Sequence, residues 1–209
     1  FETFDHNFFA TDFHIDMFMD AFPNADTSKI HRVGWPMEYM EDTLFDYNIP
    51  ANKGPMVLFP HRLAPEKQVD IFKDLGKSIP EAQFVVAQES QLTKDEYHML
   101  LSRSKIVFSA NQQETLGISC YEGALVGAAP IVPDRLSYTE MYDPAFKYPS
   151  EWTADWDSYL INKDRLVEYI NMMLFNFDNS EKIVQQAETL KHDFFSGEAL
   201  YNIIRGKKL

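Results

Sequence analysis

The sequence predicts an α/β fold: a doubly wound parallel sheet followed by C-terminal helices and preceded by a fragment of another domain. Three observations predict it. From residue 56 onward, short β-like runs alternate with amphipathic helical stretches. Those runs are mainly apolar, as strands buried on both faces are. A Pro/Gly/Asn stretch, NIPANKGP at 48–55, separates this region from a shorter strand–helix segment before it. The boundary falls there, dividing the chain into 1–48 and 49–209.

The leading segment opens rich in aromatics, with Phe8 and Phe9 strand-like. Thr11-Asp12 caps a helix through Phe13, Met17, Phe18 and Phe22, and Pro23-Asn24-Ala25-Asp26 breaks it. Residues 29–33 read as a short strand, Gly34-Trp35-Pro36 as a turn, and 37–47 as a second helical stretch. Such fragments cannot bury a core alone, so they are expected to be the tail of a larger unit.

After the linker, strands are predicted at 56–59, 83–87, 105–109 and 129–132. Helices are predicted at 65–79, with Val69, Phe72 and Leu75 inward, and at 93–102, where Thr93 and Glu96 form a capping-box signature. A further helix lies between Thr115, its expected N-cap, and Gly127, placed as a C-terminal glycine with Pro130 beyond it. Residues 138–159, rich in aromatics and Pro, read as irregular. Helices follow at 163–177 (Leu166, Ile170, Met173 and Leu174 inward), 180–195 (Ile183, Ala187 and Leu190 inward) and 198–204. The apolar run at 172–175 reads as core, and 206–209 as a frayed basic end.

Composition bounds the function. A net charge of −13 and a pI near 4.8 oppose tight nonspecific nucleic-acid binding. The single cysteine, Cys120, excludes an internal disulfide and reads as buried filler on its helix. No apolar stretch approaches the ~18 residues of a membrane span, and no signal peptide is read, so a cytoplasmic protein is expected. The start at Phe1 rather than Met fits a fragment or a processed chain. His6, His14, His31, His61, His98 and His192 show no close metal-ligand spacing, and no metal is expected. Asp12, His14 and Asp16 fan out on the first helix as a solvated face.

In doubly wound sheets ligands bind at the carboxyl ends of strands. Three loops fall there: 60–64, 88–92 and 109–114. Arg62 and Lys67 follow the first strand; an Arg forks two phosphate oxygens and a Lys supplies a point charge. The alternative is a surface Arg and Lys, with Glu66 pairing locally, and His61 reads as packed against the sheet. Glu114 leads into the helix that carries Gly117 and Glu122. A helix N-terminus favours an anion, and Gly117 lets a ligand approach the backbone. Acids eight residues apart meet different ends of an extended ligand rather than one metal ion. Alternatively, Glu122 is a solvated helix residue and Glu114 a loop charge.

Together these residues resemble the C-terminal, donor-binding domain of retaining GT-B glycosyltransferases, by motif the glycogen-synthase-like and sucrose-synthase-like family. That family carries an Arg, four residues, a Lys, and later a Glu, seven residues, a Glu. Arg62 and Lys67 keep the first spacing, and Glu114 and Glu122 the second. Gly117, Gly127-Ala-Ala-Pro130 and Glu140 fit as well. The resemblance covers 55–142 well and the rest loosely. His61 departs from it, since the family usually has Gly before the Arg. A related small group of tRNA-modifying glycosyltransferases has His-Arg there, which keeps an RNA acceptor in view.

The resemblance implies transfer of a sugar from a nucleotide-diphosphate sugar, with retention. It implies that Arg62 and Lys67 hold the diphosphate and stabilise the leaving group. The N–H groups of Leu116, Gly117 and Ile118 would bind the diphosphate or sugar hydroxyls, and Glu114 would contact hydroxyls of the donor sugar. Glu122 would accept from both ribose hydroxyls, with the base near 88–92. Neither a metal nor a cofactor beyond the donor is implied. GT-B enzymes hold the acceptor mostly on a first Rossmann-like domain. Residues 8–22 and 29–35 resemble only its end, so the chain alone is expected to bind donor and turn over poorly. The acceptor is open among a small molecule, a glycan, a protein and an RNA, and the oligomeric state is open too. Fold does not fix function, so a noncatalytic nucleotide-binding or assembly module is the alternative. A GT-B-shaped epimerase, needing further acid–base residues across the cleft, comes third.

Overall fold

The computed structural model describes residues 1–47, 52–176 and 180–206. The first linker residues, Phe177 and the basic end 207–209, all named above, lie outside them. Strands β3 (Met56–Phe59), β4 (Gln83–Val86), β5 (Ile106–Phe108), β6 (Ala129–Pro133) and β7 (Lys147–Tyr148) form one sheet in the order β4-β3-β5-β6-β7. Every pairing in it is parallel. The sheet sends alternate residues to its two faces, as the pleat requires. Val57 and Phe59 of β3, with Ile106 and Phe108 of β5, join α3 (Val69–Ser78) and α7 (Trp156–Asn171) in one core. Leu58 and Val107 join α4 (Lys94–Arg103), α5 (Ile118–Leu125) and α8 (Ser180–Asp193) in the other. Two cores on opposite faces of a parallel sheet make the doubly wound architecture that the sequence predicts.

The leading segment forms a small parallel βαβ unit: β1 (Asn7–Phe9), α1 (Asp12–Ala21) and β2 (Ile30–Arg32), followed by α2 (Tyr39–Phe45). No residue of α1 is buried. Its N-terminus is held from far along the chain. In α6 (Tyr138–Met141), the Glu140 carboxylate accepts the N–H groups of Asp12 (3.1 Å) and Phe13 (2.8 Å). Beyond β2, the N–H groups of Trp35 and Met37 donate to the carbonyls of Phe194 and Phe195. Gly34, at φ +65°, makes this crossing possible, because a Cβ there would sit 2.6 Å from the Phe194 carbonyl oxygen.

Several boundaries differ from the sequence reading, each for a local reason. The helix expected over 65–79 is broken. Pro65–Lys67 is a 3₁₀ turn, and Gln68 then adopts a left-handed φ of 55° before α3 begins. Gln68 is held there by its amide, which donates to the Ala110 and Thr153 carbonyls at 2.6 and 2.8 Å. Thr115 does not cap α5. That helix starts at Ile118 with Gly117 as its cap residue, and the Thr115 N–H donates instead to Glu114. The far end of α5 closes as expected around Gly127, with Gly127 N–H bonded to Ala124 and Ala128 N–H to Gly123. Residues 138–159 are ordered rather than irregular: they supply α6, β7 and the start of α7, whose cap is Asp155. The chain ends its described part in α9 (Glu198–Ile204), as predicted.

Candidate active site

From β3 the chain runs outward to β4 at the sheet edge and then returns to β5 on the other side of β3. The loops after β3 and β5 therefore diverge, opening the switch-point crevice where doubly wound sheets bind ligands. A cleft of about 950 Å³ lies there, between these loops and the leading segment. Pro60, His61, Arg62, Lys67, Glu114, Leu116 and Ile118 line one wall. Phe8, Phe9, Trp35 and Pro36, with Leu200 of α9, line the other.

At its base Lys67 and Glu114 are paired. Lys67 is 8% exposed, and its Nζ donates to the Gln113 carbonyl (2.7 Å) and to Glu114 Oε2 (3.2 Å). Lys67 ends the 3₁₀ turn, and the left-handed Gln68 follows it directly. Glu114 Oε2 also accepts from Asn111 Nδ2 at 2.7 Å, and its Oε1 from the Thr115 N–H at 3.0 Å. Burial pushes the Glu114 carboxyl up, but Lys67 and the N–H groups of Thr115 and Gly117 outweigh it and leave the pKa below the ordinary value. Gly117 takes φ +60°, and a Cβ on it would lie 2.6 Å from the Tyr138 ring. A side chain there would push Tyr138 away from the carboxylate it helps enclose.

The other expected residues stand apart from this pair. Arg62 is largely exposed and ion-paired to Glu66, the local pairing weighed from sequence. Leu116 and Ile118 line the cleft at the start of α5, where the helix dipole favours an anion. Glu122 is not part of the cleft wall. It faces α4, where Tyr97 donates to its Oε2 at 3.0 Å and His98 Nε2 lies 3.9 Å from its Oε1. Burial raises the Glu122 carboxyl, and the Tyr97 hydroxyl and Lys94 only partly offset it. Cys120 is buried in the core below, and burial pushes its thiol up, in keeping with filler. Among the described residues no three His, Cys, Asp or Glu side chains gather as a metal site. The Asp-x-Asp at Asp155-Trp156-Asp157 opens α7, and Asp155 accepts the Ser158 N–H as its cap.

Sequence reasoning missed three residues that shape the site. Asn111 bonds Glu114, and Tyr138 bonds Asn111 at 3.2 Å. Arg135 is the tether: its guanidinium donates to the carbonyls of Ala110, Asn111, Ser150 and Thr153, clamping the loop that carries Glu114. Asn111 precedes Glu114 by three residues, a visible spacing. Arg135 and Tyr138 reach the site only through the turn after β6, which no local pattern announces. His61 packs edge-on against Phe59, ring centroids 5.1 Å apart, as expected.

The fold and the position of this cleft define a fold class: the chain has the Rossmann-like fold found in one half of GT-B glycosyltransferases. The solved structures similar to it include three longer chains. TarM of S. aureus is 13% identical, with a TM-score of 0.69 over 96% of this chain and 43% of its own. The pneumococcal O-GlcNAc transferase GtfA, solved with UDP and GlcNAc, is 16% identical, with a TM-score of 0.66 over 97% of this chain and 44% of its own. Sucrose-phosphate synthase from Thermosynechococcus elongatus is 14% identical, with a TM-score of 0.63 over 98% of this chain and 59% of its own. The chain thus spans from 43% to 59% of their lengths. No protein-family model and no curated protein sequence matches it. No helix among the described residues is long and apolar enough to cross a membrane.

Proposed function

We propose that this chain is the donor-binding portion of a glycosyltransferase that uses a nucleotide-diphosphate sugar and transfers the sugar with retention. The observation that carries the reading is the Lys67–Glu114 pair at the base of the switch-point cleft. An ionised carboxylate accepts from sugar hydroxyls, and the buried ammonium beside it attracts the diphosphate. Arg62, bound only to Glu66 at the cleft rim, swings to the diphosphate by exchanging a carboxylate for a phosphate partner. Glu122 serves the ribose once Tyr97 shares its carboxylate. Residues 1–48 belong to the acceptor-side domain and 49–209 to the donor domain. The acceptor sits on the part of the protein that lies outside this length of chain.

The test is calorimetric titration with UDP, GDP and ADP, then with the matching sugar nucleotides, repeated on Glu122→Ala and Glu114→Ala. One nucleoside diphosphate should bind, and Glu122→Ala should abolish that binding. Glu114→Ala should remove the additional affinity contributed by the sugar. Nucleotide binding that ignores Glu114 would point instead to a noncatalytic nucleotide-binding module.

A further inference from the structure

His61 has a feature that packing does not explain. Its side chain is 6% exposed and lines the cleft beside Glu114, yet its Nε2 is buried with no hydrogen-bond partner. Leaving such an atom buried and unpaired is unfavourable. The ring is neutral: burial lowers its pKa to about 4, and Lys67 opposes its charge although Glu114 favours it. Asn111 Nδ2, which can only donate, lies 3.5 Å from Nδ1. Both hydrogens of that amide already go to Glu114 Oε2 and Tyr138 Oη, so this contact leaves the tautomer open and Nε2 is able to donate or accept. An unpartnered ring nitrogen thus shares one cleft wall with an ionised carboxylate. A sugar hydroxyl is complementary to this arrangement: it donates to Glu114 and, with the ring hydrogen on Nε2, accepts from His61 at once.

We infer that His61 is a sugar-reading residue of the donor site: its Nε2–H donates to a hydroxyl of the transferred sugar that itself donates to Glu114, and it takes no part in holding the diphosphate. The inference rests on the donor reading above. It assigns a role to the residue at which this chain departs from the glycine of the family it resembles.

The experiment compares affinities of UDP, GDP and ADP with those of UDP-glucose, GDP-glucose and ADP-glucose for the parent chain, His61→Phe and His61→Gln. Phenylalanine keeps the ring against Phe59 and removes both nitrogens, and glutamine restores a donor. His61→Phe should keep its unfolding midpoint and bind the nucleoside diphosphate within about twofold of the parent. Its preference for the sugar nucleotide should fall about tenfold, as for one lost hydrogen bond to an unpaired group. His61→Gln should recover part of that preference. An unchanged preference in His61→Phe would overturn the inference and leave the N–H satisfied within the protein, by the nearby Phe108 carbonyl. Equal losses for diphosphate and sugar nucleotide would overturn it too. If the parent binds no nucleotide, the donor reading itself fails and this inference falls with it.

Discussion

Glu114 and Glu122 flank the first half of one helix, are 17% and 13% exposed, and yet are shifted in opposite directions. Burial pushes both carboxyls up. Glu114 meets a buried ammonium, an amide and two backbone N–H groups, so its charge is stabilised. Glu122 meets a phenol and a buried histidine whose own pKa burial lowers, so its charge is not. Depth alone therefore does not set ionisation; the number and charge of donors does.

The largest change should come from removing the cation. Lys67→Met leaves Glu114 buried and unpaired, and breaking one side of a buried pair costs about 3–5 kcal/mol. Urea unfolding at pH 7 should record that loss. It should shrink at acid pH, where Glu114 is protonated. A loss that does not change with pH would mean that the lysine acts only through the Gln113 carbonyl.

The next effect separates the glutamates by sign. A folded-state pKa below 4.5 means that Glu114 adds stability above that pH and loses it as pH falls through the folded value. A folded-state pKa above 4.5 means that the Glu122 contribution is complete below 4.5 and is lost as pH rises through the folded value. Glu114→Gln should therefore destabilise the protein at pH 7, and Glu122→Gln should leave it unchanged or more stable. Melting both variants at pH 4 and pH 7 checks this; like-signed changes at pH 7 would erase the contrast. Smallest is Tyr97→Phe, which removes one hydrogen bond to Glu122, worth about 1 kcal/mol. It should raise the Glu122 pKa further, visible by carboxyl NMR titration, and leave Glu114 where it is.

Much of the fold that carries this contrast was legible in the sequence, and the reasons for the remainder are specific. Strands β3, β5 and β6 announced themselves because both of their faces are buried, so their residues are apolar; β4, at the sheet edge, was carried by its Phe84-Val85-Val86 run. The Thr93–Glu96 capping box and the α5 terminus at Gly127 were visible because both are local. Gln68 was not, since its left-handed turn is held by carbonyls 42 and 85 residues away. Strand β7 was hidden by its two-residue length. The spacings of Arg62, Lys67, Glu114 and Glu122 were all readable. Their division into a paired couple in the cleft, a rim arginine and a carboxylate turned toward α4 was not, because each partner arrives from another element.

The crossing at Gly34 also has a consequence for the protein's making. The partners of Trp35 and Met37 are the carbonyls of Phe194 and Phe195, and Glu38 accepts the Gly197 N–H 159 residues later. At roughly 5–20 residues per second on the ribosome, that separation is a wait of about ten to thirty seconds. During it the aromatic face of the leading segment has no C-terminal helix to lie against. The leading segment thus reaches its final place only after the helices at the other end of the chain are made, and a chaperone has that interval in which to hold it.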